Sequence, residues 1–105
     1  MPTYYGLHGQ FIAADGARDD LAAILLEAAN SLRRNPACLL YVIHVTEDDP
    51  NAIWVTEAWT EKQAHDDSLK PDEVRAVIAS ARPLIAAFGE RREFHTLGGV
   101  GLPEP

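Results

Sequence analysis

Cysteine is almost missing from this chain of 105 residues, and Cys38 alone can neither close an internal disulfide nor build a Cys-based metal cluster. It reads as a small buried hydrophobe at the start of a strand. Cations are also scarce: nine Lys and Arg face sixteen Asp and Glu, and the net charge of −7 repels phosphate backbones and anionic headgroups. Nucleic acid and membrane are therefore not expected partners. No apolar run approaches membrane-spanning length, and the N-terminus lacks a basic stretch followed by an apolar core. A soluble, cytoplasmic protein is the expectation. Linkers, repeats and low-complexity tracts are absent too, so residues 1–105 read as one domain, able to bury roughly two thirds of its unfolded surface. Gly98-Gly99-Val100-Gly101 has no helix after it to complete a phosphate cradle, which makes residues 98–105 a mobile C-terminal arm.

What is present is periodicity. Tyr4 to Ala13 alternates apolar and polar residues up to the turn signal Ala14-Asp15-Gly16, as a strand does. Leu21, Ile24, Leu25, Ala28, Ala29 and Leu32 recur at helical spacing until Asn35-Pro36 stops the pattern. Cys38–Thr46 and Ala52–Trp59 are β-rich runs joined by turn residues, an antiparallel hairpin. A short helix over Glu61–Leu69 is broken at Lys70-Pro71-Asp72. The apolar spacing then predicts a second long helix over Glu73–Phe88, kinked at Pro83 and ended by Gly89. Glu90 to Leu97 alternates as a fourth strand. The order is βαββαβ, an α+β, ferredoxin-like fold with helices on one face of a four-stranded antiparallel sheet.

Strand parity sorts the side chains. One face collects Tyr5, Leu7, Phe11, Tyr41, Ile43, Ile53, Val55, Glu57, Trp59 and Phe94, and the helices should cover it. The other carries Tyr4, His8, Gln10, Val42, His44, Trp54, Thr56, Glu93 and His95. That mixture of an indole, aliphatic groups and polar groups suits a protein–protein interface better than solvent or a dry core. Trp54, His8, His44 and His95 are its expected interface residues. Three histidines from separate strands with no close-spaced ligand motif point to interface hydrogen bonding, not to a metal site. Arg33-Arg34 closes the first helix, where cations complement the helix dipole.

The most informative stretch is Ile53 to Trp59, because it sets the carboxylate of Glu57 among core residues. Burying that group costs several kcal/mol unless it is hydrogen-bonded or faces a cavity, so it is a polar anchor or a pocket wall. Thr60, with Gln63 in a capping box, would start a helix that carries His65 in its second turn. An acid, an indole and an imidazole converge on one strand-to-helix corner.

Glu57-Ala58-Trp59, Ala64-His65, Arg82-Pro83-Leu84-Ile85 and the closing Leu97-Gly98-Gly99-Val100-Gly101-Leu102 together resemble the antibiotic biosynthesis monooxygenase family over nearly the whole chain. The resemblance implies a dimeric α+β barrel, in which two sheets pack face to face across a two-fold axis, and hence a homodimer. It also implies an activity drawn from a diverse set that includes cofactor-free oxygenation of quinols and haem degradation. The haem-degrading pattern fails here: the positions of its asparagine and ligand histidine hold Gly9 and roughly Leu69 or Lys70.

The leading expectation is thus a monooxygenase that uses no metal or other cofactor and acts with molecular oxygen on a hydroquinone or other small electron-rich aromatic. A deprotonated quinol can itself give electrons to dioxygen, so the protein has mainly to bind, deprotonate and exclude water. In this reading Trp59, Tyr41, Tyr5 and Phe88 shape the substrate cavity, Glu57 orients a hydroxyl and His65 is the base. The rival is a dimeric small-molecule binding or scaffold protein without turnover, in which Trp59 is core and Glu57 a structural anchor.

Overall fold

A computed structural model describes residues 3–104. The elements are β1 (Tyr4–Ala13), α1 (Arg18–Leu32), β2 (Cys38–Val45), β3 (Ala52–Trp59), α2 (Lys62–Asp67), α3 (Asp72–Ala81), a 3-10 turn (Arg82–Leu84) and β4 (Ile85–Thr96). All neighbouring strands are antiparallel, in the order β2-β3-β1-β4. This is the expected α+β, ferredoxin-like sheet.

Apolar periodicity explains the layers. Leu21 and Leu25 of α1 and Ala81 of α3 pack on Ile53 and Val55 of β3, with Phe11, Tyr41 and Ile43 at the margin. Trp59, Leu21 and Ile53 are the largest fully enclosed side chains. The tight turn before α1 needs Gly16, whose φ of 77° is left-handed, and Ala17 closes it by donating to the Ala14 carbonyl. Arg18 then ties helix to hairpin by donating from Nη1 to the carbonyls of Thr46 and Asp49, at 2.9 and 2.8 Å. At the far end of α1, the Asn35 carboxamide oxygen accepts the Ala37 N–H at 3.0 Å, an Asx turn that leads around Pro36 into β2.

Two expectations are corrected. The helix predicted over Glu73–Phe88 stops at Ala81, and Ile85 to Phe88 belong to β4. A proline at position 83 of a continuous helix would lose one hydrogen bond and press its ring on the carbonyl four residues earlier. The chain instead takes one 3-10 turn and enters the sheet, where Ala13 pairs with Ile85 and Phe11 with Phe88, and Gly89 lies within the strand. The second correction concerns β4 parity. Tyr5 stands opposite His95 and Leu7 opposite Glu93, so His95 and Glu93 lie on the helix-bearing face, and Phe94, opposite Gly6, lies on the other. Apolar pattern misleads here because most of β4 is exposed whichever way it points. Gly6 eases this crossing: a Cβ there would meet Thr96 Oγ1 and force that side chain to move.

No helix among the described residues is long and apolar enough to cross a membrane. The arm after β4 is pinned at one point, where the Tyr4 hydroxyl donates to the Pro103 carbonyl at 3.0 Å.

Candidate functional site

Register brings the predicted corner together. Tyr5 of β1 faces Trp59 of β3, and Glu57 of β3 stands between Leu7 of β1 and Tyr41 of β2, all on the covered face. Trp59, 1% exposed, donates its indole N–H to Glu57 Oε1 at 3.0 Å. The capping box does not form. Glu61 is the N-cap, without a side-chain bond, while the Thr60 N–H donates to the Ala37 carbonyl and Gln63 donates to Asp67. Thr60 is thus held by the chain entering β2, and α2 still delivers His65 to the corner. Its Nε2 lies 3.8 Å from Glu57 Oε1, and its ring meets those of Tyr5 and Trp59 at centroid distances of 5.5 and 5.6 Å.

Three residues that sequence reasoning missed complete the cluster. Asp66 Oδ1 lies 3.0 Å from His65 Nδ1, which places the proton on Nδ1 and leaves Nε2 as the acceptor when the ring is neutral. Glu93 accepts the Tyr5 hydroxyl at 2.7 Å, and Arg91 lies 3.6 Å from Glu93 Oε1. Asp66 follows His65 in the chain and was readable as a helix-surface acid. Glu93 and Arg91, two residues apart on β4, reach Tyr5 only through the β1–β4 register.

The electrostatics follow from burial. Desolvation raises the Glu57 carboxyl above the ordinary range, opposed by the Trp59 hydrogen bond and by the His65 and Arg91 charges. Burial and the hydrogen bond to Glu93 push the Tyr5 phenol up to about 12, so it acts as a neutral donor. Tyr41 is raised by burial and by the Glu57 charge, and Cys38 is pushed up to about 11 by the same two causes. Asp66 is held low by Lys62 and then by His65, which keeps it ionised beside the imidazole.

Not every expected residue joins. Phe88 is 74% exposed and touches Phe11 at a centroid distance of 5.5 Å, six residues along β1 from Tyr5. At the ordinary rise of a strand that is ~20 Å from Trp59, so Phe88 shapes no cavity there. Two open concavities lie on the described residues, and neither is lined by Trp59, Glu57 or His65. One lies between α1 and β2 and the other is formed by the C-terminal arm.

On the uncovered face, His8 and His44 both hydrogen-bond Thr56 Oγ1, at 2.9 and 3.1 Å, and His8 stacks on Trp54 with centroids 5.1 Å apart. His95, on the opposite face, is not part of this group. Among the described residues no three His, Cys, Asp or Glu side chains gather as a metal-binding group.

The family model for antibiotic biosynthesis monooxygenase matches residues 5–80. A candidate antibiotic biosynthesis monooxygenase from Chloroflexus aurantiacus shares 44% identity, with 96% of this chain and 100% of that one covered and a TM-score of 0.87. A second candidate of the same description, from Caulobacter crescentus, is 16% identical over 92% of each chain, with a TM-score of 0.82. A protein from Pseudomonas aeruginosa is 19% identical, covering 93% of this chain and 98% of its own, with a TM-score of 0.81. The last two likenesses concern the fold alone. No curated protein matches the chain.

Proposed function

Because the chain belongs to the antibiotic biosynthesis monooxygenase family, we propose that it oxygenates a quinol or related electron-rich aromatic with molecular oxygen and without metal or flavin. The observation that carries this reading is the array Asp66–His65–Glu57–Trp59, in which the half-exposed Asp66 backs a largely buried imidazole with one nitrogen free to accept a proton and a carboxylate 3.8 Å away. His65 takes the phenolic proton at Nε2, and Asp66 steadies the imidazolium that forms. Glu57, its Oε1 fixed by the indole, offers its remaining lone pairs to orient the second hydroxyl. The resulting phenolate reduces dioxygen: a hydroquinone supplies all four electrons, one oxygen atom enters the ring as a hydroxyquinone, and the other leaves as water. The rings of Tyr5 and Trp59 flank the imidazole and limit water beside the anion.

The working unit in this proposal is a homodimer closed through the uncovered sheet face, where Trp54, His8, His44 and Thr56 form one partly buried patch. A dimeric small-molecule binding or scaffold protein is the second reading, and one observation favours it: Trp59 is packed to 1% exposure, and it lines neither of the two concavities described above. Oxygen uptake with menadiol under air tests the two. Consumption above the spontaneous rate supports the enzyme, and none supports the scaffold.

A further inference from the structure

The concavity between α1 and the edge strand β2 is not explained by the proton-transfer array. It is an open groove of about 430 Å³, room for a ligand of one or two aromatic rings. It is lined by aliphatic residues, Ala29, Leu32 and Leu39 among them, together with three residues that carry polar groups, Arg33, Cys38 and Tyr41. No lining residue is acidic, and burial keeps the Cys38 thiol neutral.

Two of these groups lack partners. Arg33, like Arg34, Arg75 and Arg82, pairs with no carboxylate among the described residues, and of these four it is the one that lines the groove. Tyr41 is largely buried, yet its hydroxyl forms no hydrogen bond with a described residue, and every fully enclosed side-chain polar atom does have a partner. The phenol oxygen is therefore not fully enclosed, and Tyr41 is one of the residues that line this groove. Tyr41 and Cys38 connect the groove to the array, since Tyr41 faces Glu57 and Cys38 faces Trp59 across the β2–β3 ladder.

From this placement we infer that the groove binds an aromatic ligand with a phenolic hydroxyl at one end and a carboxylate at the other. The carboxylate meets Arg33 at the mouth and the hydroxyl meets Tyr41 at the inner end, toward Glu57. The inference goes beyond the monooxygenase reading and does not depend on it, because neither His65 nor Glu57 lines the groove. Against an overall charge of −7, an unpaired guanidinium at the rim of an apolar slot provides a local attraction for a small anion. An uncharged quinol gains nothing from Arg33, so the class selected is the hydroxyaromatic acid.

Anaerobic titration with 2,5-dihydroxybenzoate and, in parallel, with hydroquinone reads this directly by amide NMR shifts. The expected result is saturable binding of the acid, with shifts at Leu32, Arg33, Cys38, Leu39 and Tyr41. Arg33→Gln should weaken the acid by about tenfold or more and leave hydroquinone unchanged, the scale of one lost charge-assisted contact. Arg33→Lys should recover part of that loss, and Tyr41→Phe should weaken both ligands. Equal affinity of wild type and Arg33→Gln for the acid, absence of saturation, or shifts confined to another part of the chain would overturn the inference. Oxygen uptake separates the two claims. Turnover of hydroquinone without binding of the acid removes the groove and keeps the monooxygenase, whereas binding of the acid without oxygen consumption keeps the groove and removes the monooxygenase.

Discussion

Trp59 Nε1 donates to Glu57 Oε1 at 3.0 Å, so two residues of one strand, separated by a single alanine, satisfy each other inside the core. The bond answers the problem that a carboxylate in an apolar strand face poses. It also fixes the oxygen that His65 approaches to 3.8 Å.

Glu57→Gln should stabilise the fold at neutral pH while abolishing orientation of the substrate hydroxyl. Gln keeps an acceptor for the indole and removes a charge that burial disfavours. The sign follows from the raised carboxyl: the folded state holds its proton more tightly than the unfolded chain, so this favourable contribution is complete below the ordinary value of 4.5 and is lost as pH rises through the folded value. The advantage of the variant over wild type should therefore be small at pH 4, grow as pH rises, and then level off. Urea midpoints across that range check it, and an advantage independent of pH would contradict it.

Trp59→Phe removes both the indole donor and part of a fully enclosed volume, with an expected cost of about 1–3 kcal/mol. Urea unfolding gives the stability and a menadiol titration under nitrogen gives the affinity. Lost stability together with lost affinity marks Trp59 as pocket wall. Lost stability with unchanged affinity marks it as core and favours the scaffold reading.

Trp54→Glu should convert the proposed dimer to a monomer at micromolar concentration, because it puts a charge in place of a half-exposed ring, stacked on His8, that the dimer would bury. Light scattering after size exclusion measures this. Unchanged association would move Trp54 out of the interface, and a monomeric wild type would remove the interface altogether.

The fold was legible wherever one pattern dominated. Strand alternation and the 3.6-residue period located β1, α1, β2 and β3, and the two-residue spacing of Glu57 and Trp59 with His65 on the next helix placed the corner. The sequence misled at Ile85–Phe88, where residues spaced for a helix form a strand because Pro83 ends the helix first. It misled again at Phe94 and His95, since an exposed strand carries no burial pattern from which to read its face. Arg91 and Glu93 needed the β1–β4 register. The groove beside Arg33 depends on how α1 and β2 meet, and packing volumes of that kind have no local signature in the chain.

Oxygen uptake with menadiol, comparing wild type with His65→Ala at equal folded concentration, tests the central claim most directly. A cofactor-free quinol monooxygenase with His65 as its base predicts protein-dependent consumption that falls about 100-fold in the variant, while far-UV circular dichroism and the urea midpoint show it still folded. Full activity in His65→Ala, or no consumption above the spontaneous rate in wild type, would contradict it.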